Sequence, residues 1–159
     1  MSIDAPIRIT LEQDGDYAFR IAFEGTELEP LLSDEPSPLG ADRGPNPARL
    51  LLASVGNCLV ASLLFALRKQ RNTPAPLRAE VNALPVRNEH GRWRIASAQV
   101  TLHLPGHNAD YKALDRVFAQ FEDFCVVTQS VRQGIDVDVS VVDGEGRVLY
   151  GDKSFEAGS

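Results

Sequence analysis

Two cysteines, Cys58 and Cys125, are the residues of this 159-residue chain with the widest chemical reach. A thiolate attacks the O–O bond of a peroxide and becomes a sulfenic acid, which a second thiol can convert to a disulfide. Separation along the chain does not forbid that partnership, provided the fold brings the two Cα atoms to roughly 4.4–6.8 Å. Each cysteine taken alone reads first as a small core residue, because free cysteine is among the most buried residue types. Structural zinc is the weaker reading. Neither cysteine has a histidine or a further cysteine at ligand spacing, and His90, His103 and His107 fall in other segments.

The segment around Cys58 is a helix by several independent signals. Residues 44–47 read Gly-Pro-Asn-Pro. There Asn46 can cap a helix through its side-chain oxygen, and Pro47 can take the first helical position without wasting an amide. The helix is predicted to run to about Lys69 or Gln70, with Arg68, Lys69 and Arg71 at its favourable C-terminal end. Residues 50–67 carry no charge and are apolar around the whole circumference, which predicts a helix surrounded by protein. Regular geometry sets Leu51, Ser54, Val55, Ala61, Ser62 and Phe65 about Cys58, an apolar setting with two hydroxyls. The run only just reaches bilayer-spanning length and includes Ser54, Gly56, Asn57 and Ser62, so a soluble protein is expected and no membrane partner.

Cys125 follows a second apolar periodicity. Tyr111, Leu114, Phe118 and Phe121 recur at helical spacing, which predicts a long helix that buries this face and exposes Lys112, Asp115 and Glu122. Cys125 lies one turn beyond Phe121, near the same face at the helix end. The remaining segments read as strands. Residues 7–11 and 17–23 form a predicted hairpin, with a third strand near residues 28–32. Residues 80–86 and 93–104 are antiparallel neighbours, Ile135 to Val141 alternate with Asp136, Asp138 and Ser140, and residues 148–150 form a short return. Residues 33–47, with four prolines and two glycines, are an irregular loop able to close over a site, and residues 156–159 are a mobile tail. Strands, a long helix, strands, a second helix and a final strand define an α+β protein in one domain, residues 1–159.

Composition narrows the function classes. With 43% hydrophobic and 24% charged residues the chain is an ordinary globular protein. A net charge of −6 disfavours a nucleic-acid partner, which would require a concentrated positive surface. The N-terminal residues lack a secretory pattern, so a cytoplasmic location is expected, where cysteines stay reduced unless they take part in chemistry.

The segment Gly-Pro-Asn-Pro-Ala-Arg-Leu-Leu-Leu-Ala-Ser-Val-Gly-Asn-Cys, residues 44–58, resembles the signature of the OsmC/Ohr family: a Gly/Asn-Pro helix entry, a Leu/Ala run and a cysteine near the helix middle. Cys125 and the residues leading to the strand after Gly134 resemble the family's second cysteine region. The resemblance spans about residues 7–150 and implies antiparallel sheets around two central helices, in an intertwined homodimer. It implies that Cys58 is the peroxidatic and Cys125 the resolving cysteine of a thiol-dependent organic hydroperoxide reductase. Such an enzyme needs no bound cofactor and takes an external dithiol reductant. An arginine and a glutamate organise the peroxide in that family. The glutamate position here is Ala48 and the arginine position falls near Pro38, leaving Arg43 as the nearest substitute, or else as a loop charge paired with Asp42. Trp93 and Phe65 could line an apolar channel above the cysteines. The alternatives are a non-catalytic dimer that binds a small apolar ligand in the same cavity, and a structural dimer whose cysteines fill space.

Overall fold

The computed structural model describes residues 6–151, apart from the side chains of residues 136–138. The tail at residues 156–159 lies outside the described residues, as do the side chains of Asp136, Val137 and Asp138. The chain divides into two compact units, one ending at Leu51 and the other beginning at Leu52.

The first unit is a three-stranded antiparallel sheet in the order β1 (Ile9–Gln13), β2 (Phe19–Phe23), β3 (Leu31–Ser33). Alternation sets the register, with Leu11 opposite Ile21 and Ile21 opposite Leu31. Residues 34–46 form the expected irregular loop. Asp34, which is buried, organises it by accepting from the amides of Ala41 and Arg43. Burial opposes a charge on Asp34, but the amides of Arg43, Ala41 and Glu35 and the Arg43 charge outweigh it and hold the carboxyl below its usual range. Gly44 is required by close approach, since a Cβ there would collide with the Leu32 carbonyl.

Helix α1 (Pro47–Lys69) starts as its sequence predicts. Asn46 Oδ1 accepts from the Arg49 amide at 3.0 Å, and Arg68 and Lys69 occupy the last turn. The helix is long and apolar enough to cross a bilayer, yet Leu59, Leu63 and Leu67 are wholly buried in the protein core. The chain covers one side only. Val55, Gly56, Leu59, Ser62, Leu63, Ala66 and Leu67 form the buried stripe, whereas Ala53, Ser54, Asn57, Ala61 and Phe65 are exposed. Lack of charge in residues 50–67 encodes what the helix tolerates on every side, not which side this one chain covers.

The second unit is built on a four-stranded sheet in the order β4 (Arg78–Asn82), β7 (Ser97–His103), β8 (Asp136–Val142), β9 (Val148–Gly151). Its outer pairs, β4 with β7 and β8 with β9, are antiparallel, while β7 and β8 run parallel. The two strands expected at residues 80–86 and 93–104 are each interrupted. A separate antiparallel pair, β5 (Pro85–Arg87) with β6 (Trp93–Ile95), splits off before Pro85, which has no amide to continue the β4 ladder. Val100, Leu102, Val139 and Val141 form one core with the buried leucines of α1. A Cβ at Gly56 would come within 2.5 Å of Val81 Cγ2, so this glycine admits β4 close to the helix.

The second predicted helix is broken. Ala113 adopts a left-handed conformation (φ 53°), and only then does a short α2 (Leu114–Phe118) begin. A 3-10 turn covers Phe121–Phe124, and α3 (Val126–Val131) follows Cys125. Tyr111 stands outside any α-helix, its hydroxyl donating to the Pro105 carbonyl at 2.6 Å. The buried Asn72 fixes this entry, its amide donating to the carbonyls of Leu67 and Lys112 and its oxygen accepting from the Lys112 amide at 2.7 Å.

The cap that starts α1 can be tested alone. Asn46→Ala should cost about 1 kcal/mol in urea denaturation, and Asn46→Ser should recover most of it.

Candidate redox site

Cys58 sits in the middle of α1, half-buried against the core. Cys125 is wholly buried and occupies the joint between the 3-10 turn and α3, with φ −85° and ψ 92°. Its amide donates to the Glu122 carbonyl at 2.9 Å, and its carbonyl accepts the Gln129 amide at 3.0 Å. The joint exists because the sulfur acts as a helix cap. Cys125 Sγ accepts from the Thr128 amide at 3.4 Å and donates to Thr128 Oγ1 at 2.9 Å. Thr128 is itself wholly buried.

The fold brings the two cysteines near each other. Both are free thiols, and Cys58 is near enough to act on the Cys125 thiol. Burial pushes the Cys125 thiol up, the bond and charge of Cys58 push it further, and the two bonds from Thr128 pull it back. Cys58 is the less buried of the pair and has the better access to solvent.

Glu122 departs from its sequence reading. Helical spacing predicts an exposed side chain, and it is only 7% exposed. With the helix broken, helical spacing no longer gives its direction. One carboxylate oxygen pairs with Arg132 at the end of α3 and the other accepts from the Tyr150 hydroxyl on β9. The Tyr150 ring also packs on Phe118 and Phe121, at 5.3 Å between centroids in each case. Glu122 thus anchors the Cys125 joint to both the following helix and the sheet. Sequence reasoning missed this residue because its partners lie 10 and 28 residues away.

Arg43, the nearest stand-in for the expected arginine, is committed elsewhere in the first unit. Its guanidinium donates to the Asp14 carbonyl at 3.1 Å and lies 3.6 Å from the Asp14 carboxylate. The pairing with Asp42 is not formed, because Asp42 bonds Arg49 at 2.9 Å. Ala48 lies in the first turn of α1 and Pro38 is exposed in the loop. Pro38 and Arg43 line a cleft of about 370 Å³ together with Asp34 and Tyr17.

The aromatic residues divide. Trp93 is 60% exposed and stacks under the Arg87 guanidinium at 4.2 Å. Phe65, two turns along α1 from Cys58, meets Phe124, the neighbour of Cys125, edge to face at 5.1 Å. Both rings are exposed, as is Val126 two residues on from Phe124, so exposed apolar side chains flank the cysteines along the chain. Among the described residues no group of three His, Cys, Asp or Glu side chains is placed to hold a metal ion.

This arrangement, two neighbouring thiols on a core helix and a capped turn beside a mixed sheet, defines a cysteine-pair protein of α+β class. A sequence model of the OsmC-like protein family matches residues 40–140, and the chain belongs to that family. No curated protein matches it. Among solved structures it is similar to an OsmC-like protein from Mycoplasma pneumoniae, with 14% identity, a TM-score of 0.71 and coverage of 89% of this chain and 99% of that one. An organic hydroperoxide resistance protein from Elizabethkingia anophelis aligns at 19% identity and a TM-score of 0.69, covering 90% and 99%. The organic hydroperoxide resistance protein OhrB of Bacillus subtilis aligns at 19% identity and a TM-score of 0.63, covering 86% and 98%. At these identities the likeness is one of fold, and it agrees with the OsmC-like α+β architecture expected from the sequence.

The Glu122 anchor makes a prediction independent of any substrate. Glu122→Ala removes one partner of a largely buried ion pair whose arginine is 30% exposed. It should cost about 2–3 kcal/mol, below the figure for a fully buried pair. Pulsed alkylation of the folded variant should label Cys125 faster than in the parent.

Proposed function

We propose that this protein reduces organic hydroperoxides, with Cys58 as the attacking and Cys125 as the resolving thiol. The observation that carries the reading is the nearness of the two free thiols, one half-exposed on α1 and the other capped in the core. The names of the hydroperoxide resistance proteins with this fold support it. Cys58 thiolate attacks one peroxide oxygen, forming an S–O bond as the O–O bond breaks, and the departing alkoxide takes a proton to leave as an alcohol. Cys125 then attacks the sulfenic sulfur, the S–S bond forms, and hydroxide leaves as water with a second proton. An external dithiol reduces the disulfide and is itself oxidised. The apolar surface of Phe65, Phe124 and Val126 favours an organic over an inorganic peroxide.

Quenched-flow oxidation with cumene hydroperoxide checks this. Cys58 should be oxidised at least tenfold faster than a free cysteine of ordinary pKa. Cys58→Ser should abolish turnover, and Cys125→Ser should leave a trappable Cys58 sulfenic acid. An oxidation rate equal to that of free cysteine sinks the reading.

A second reading, the binding of a small apolar ligand without turnover, is favoured by Ala48, which offers no carboxylate where the family's peroxidases place a glutamate. Native mass spectrometry of gently purified protein that shows no ligand, with no binding in an apolar-ligand screen, counts against it.

We also infer a homodimer. The exposed stripe Ala53, Ser54, Asn57, Ala61 and Phe65 on α1, and the exposed Ile9 and Leu11 on β1, are apolar or small surfaces that a second copy would cover. Sedimentation at micromolar concentration should give twice the chain mass, and a monomer throughout that range defeats the inference.

A further inference from the structure

The reaction proposed above uses two sulfurs, and a third side chain holds one of them. Cys125 has no exposed surface and packs in a cluster with Leu59, Phe121, Val139 and Val141. A sulfur buried in that way gains little from solvent when it becomes a thiolate, so any donor pointed at it has a large effect. Thr128 supplies one donor, its amide 3.4 Å away, and places a hydroxyl 2.9 Å away. In the reduced pair the Cys125 thiol donates to that hydroxyl oxygen. Once the thiol proton has left, the rotatable hydroxyl can reverse the bond and donate to sulfur.

We propose that Thr128 is a catalytic residue of the cysteine pair, giving hydrogen bonds to Cys125 Sγ whenever that sulfur carries negative charge. The inference rests on the reading of Cys58 as the attacking thiol and assigns the resolving chemistry to a residue outside the cysteine pair. Charge appears on Cys125 twice. In the forward direction Cys125 loses its proton before it attacks the Cys58 sulfenic sulfur. In the return, a dithiol thiolate attacks the Cys58 sulfur of the disulfide, the S–S bond breaks, and Cys125 departs as a thiolate that then takes up a proton. The second reductant thiol attacks the mixed disulfide and releases Cys58, so two thiols of the reductant become one disulfide. Attack on the peroxide by Cys58 places no charge on Cys125 and should not depend on Thr128.

Titratable groups on the elements around this segment include Cys58 and Lys69 on α1, Glu122 and Asp123 on the 3-10 turn, Arg132 at the end of α3 and Tyr150 on β9. Glu122 bonds both Arg132 and Tyr150. Thr128 is the hydroxyl-bearing side chain bonded to the sulfur.

Thr128→Val keeps the shape and removes the hydroxyl, while Thr128→Ser restores it. In single-turnover oxidation with cumene hydroperoxide, followed by sulfenic-acid trapping and mass spectrometry, Thr128→Val should form the Cys58 sulfenic acid at the parent rate. Disulfide formation should then slow by about tenfold, the effect of losing one hydrogen bond to a charged group, and Thr128→Ser should recover it. A parallel measurement needs no peroxide. In the Cys58→Ser background Cys125 is the sole cysteine, and its 13Cβ shift reports its ionisation. The midpoint should rise by about one unit in Thr128→Val and return in Thr128→Ser. Should the valine variant not fold, Thr128→Ala takes its place in both measurements. An unchanged disulfide rate with an unchanged midpoint overturns the proposal. If the parent protein shows no peroxide reaction at all, the peroxidase reading falls, and the midpoint alone decides whether Thr128 stabilises the Cys125 thiolate.

Discussion

Packing of the buried stripe of α1 among the apolar side chains of the four-stranded sheet is the constraint from which the rest of the second unit follows. Leu59, Leu63 and Leu67 share a core with Val100, Leu102, Val139 and Val141, and each of these residues is essentially fully buried. Burial of a leucine or valine contributes about 1.5–3 kcal/mol, so this interlock fixes the rotation of α1 about its axis. That rotation sets the depth of Cys58. One position earlier, Asn57 is exposed, and one position later, Leu59 is completely covered.

Cys125 is held by a different kind of force. Its segment is too irregular to gain much from helix propensity: a left-handed Ala113, a five-residue α2 and a 3-10 turn precede it. Polar bonds replace regularity. Asn72 closes the entry, Glu122 ties the turn to Arg132 and Tyr150, and the sulfur caps α3. Each buried polar group in this path has a partner, the condition under which such a network fixes one conformation instead of several. The apolar interlock places one thiol and the polar network places the other.

The two halves of the pair were unequally legible in the sequence. Cys58 and its helix could be read because their signals are local: Asn46 and Pro47 mark the start, and the charge-free run marks the body. The family resemblance carried by the same residues gave the α+β fold. The environment of Cys125 resisted reading because Tyr111, Leu114, Phe118 and Phe121 imitate one helical face while the backbone breaks between them. The burial of Glu122 depends on Tyr150, and the commitment of Arg43 depends on Asp14, 29 residues earlier. Neither partner lies within the reach of a periodicity argument. The parallel pairing of β7 with β8 was equally hidden, since alternation specifies which face of a strand is apolar and not the direction of its neighbour.

That parallel pairing has a consequence for how the chain acquires its chemistry. Two parallel neighbours cannot be joined by a tight turn, so residues 104–135 must leave one end of β7 and travel back to the start of β8. Cys125 rides on this return path. Cys125 thus comes near α1 only when a long loop has closed, a slow kind of event in the assembly of a small domain. A nascent chain carries Cys58 as an isolated thiol until the return path is in place, so completion of the fold and arming of the sulfur pair are one and the same event.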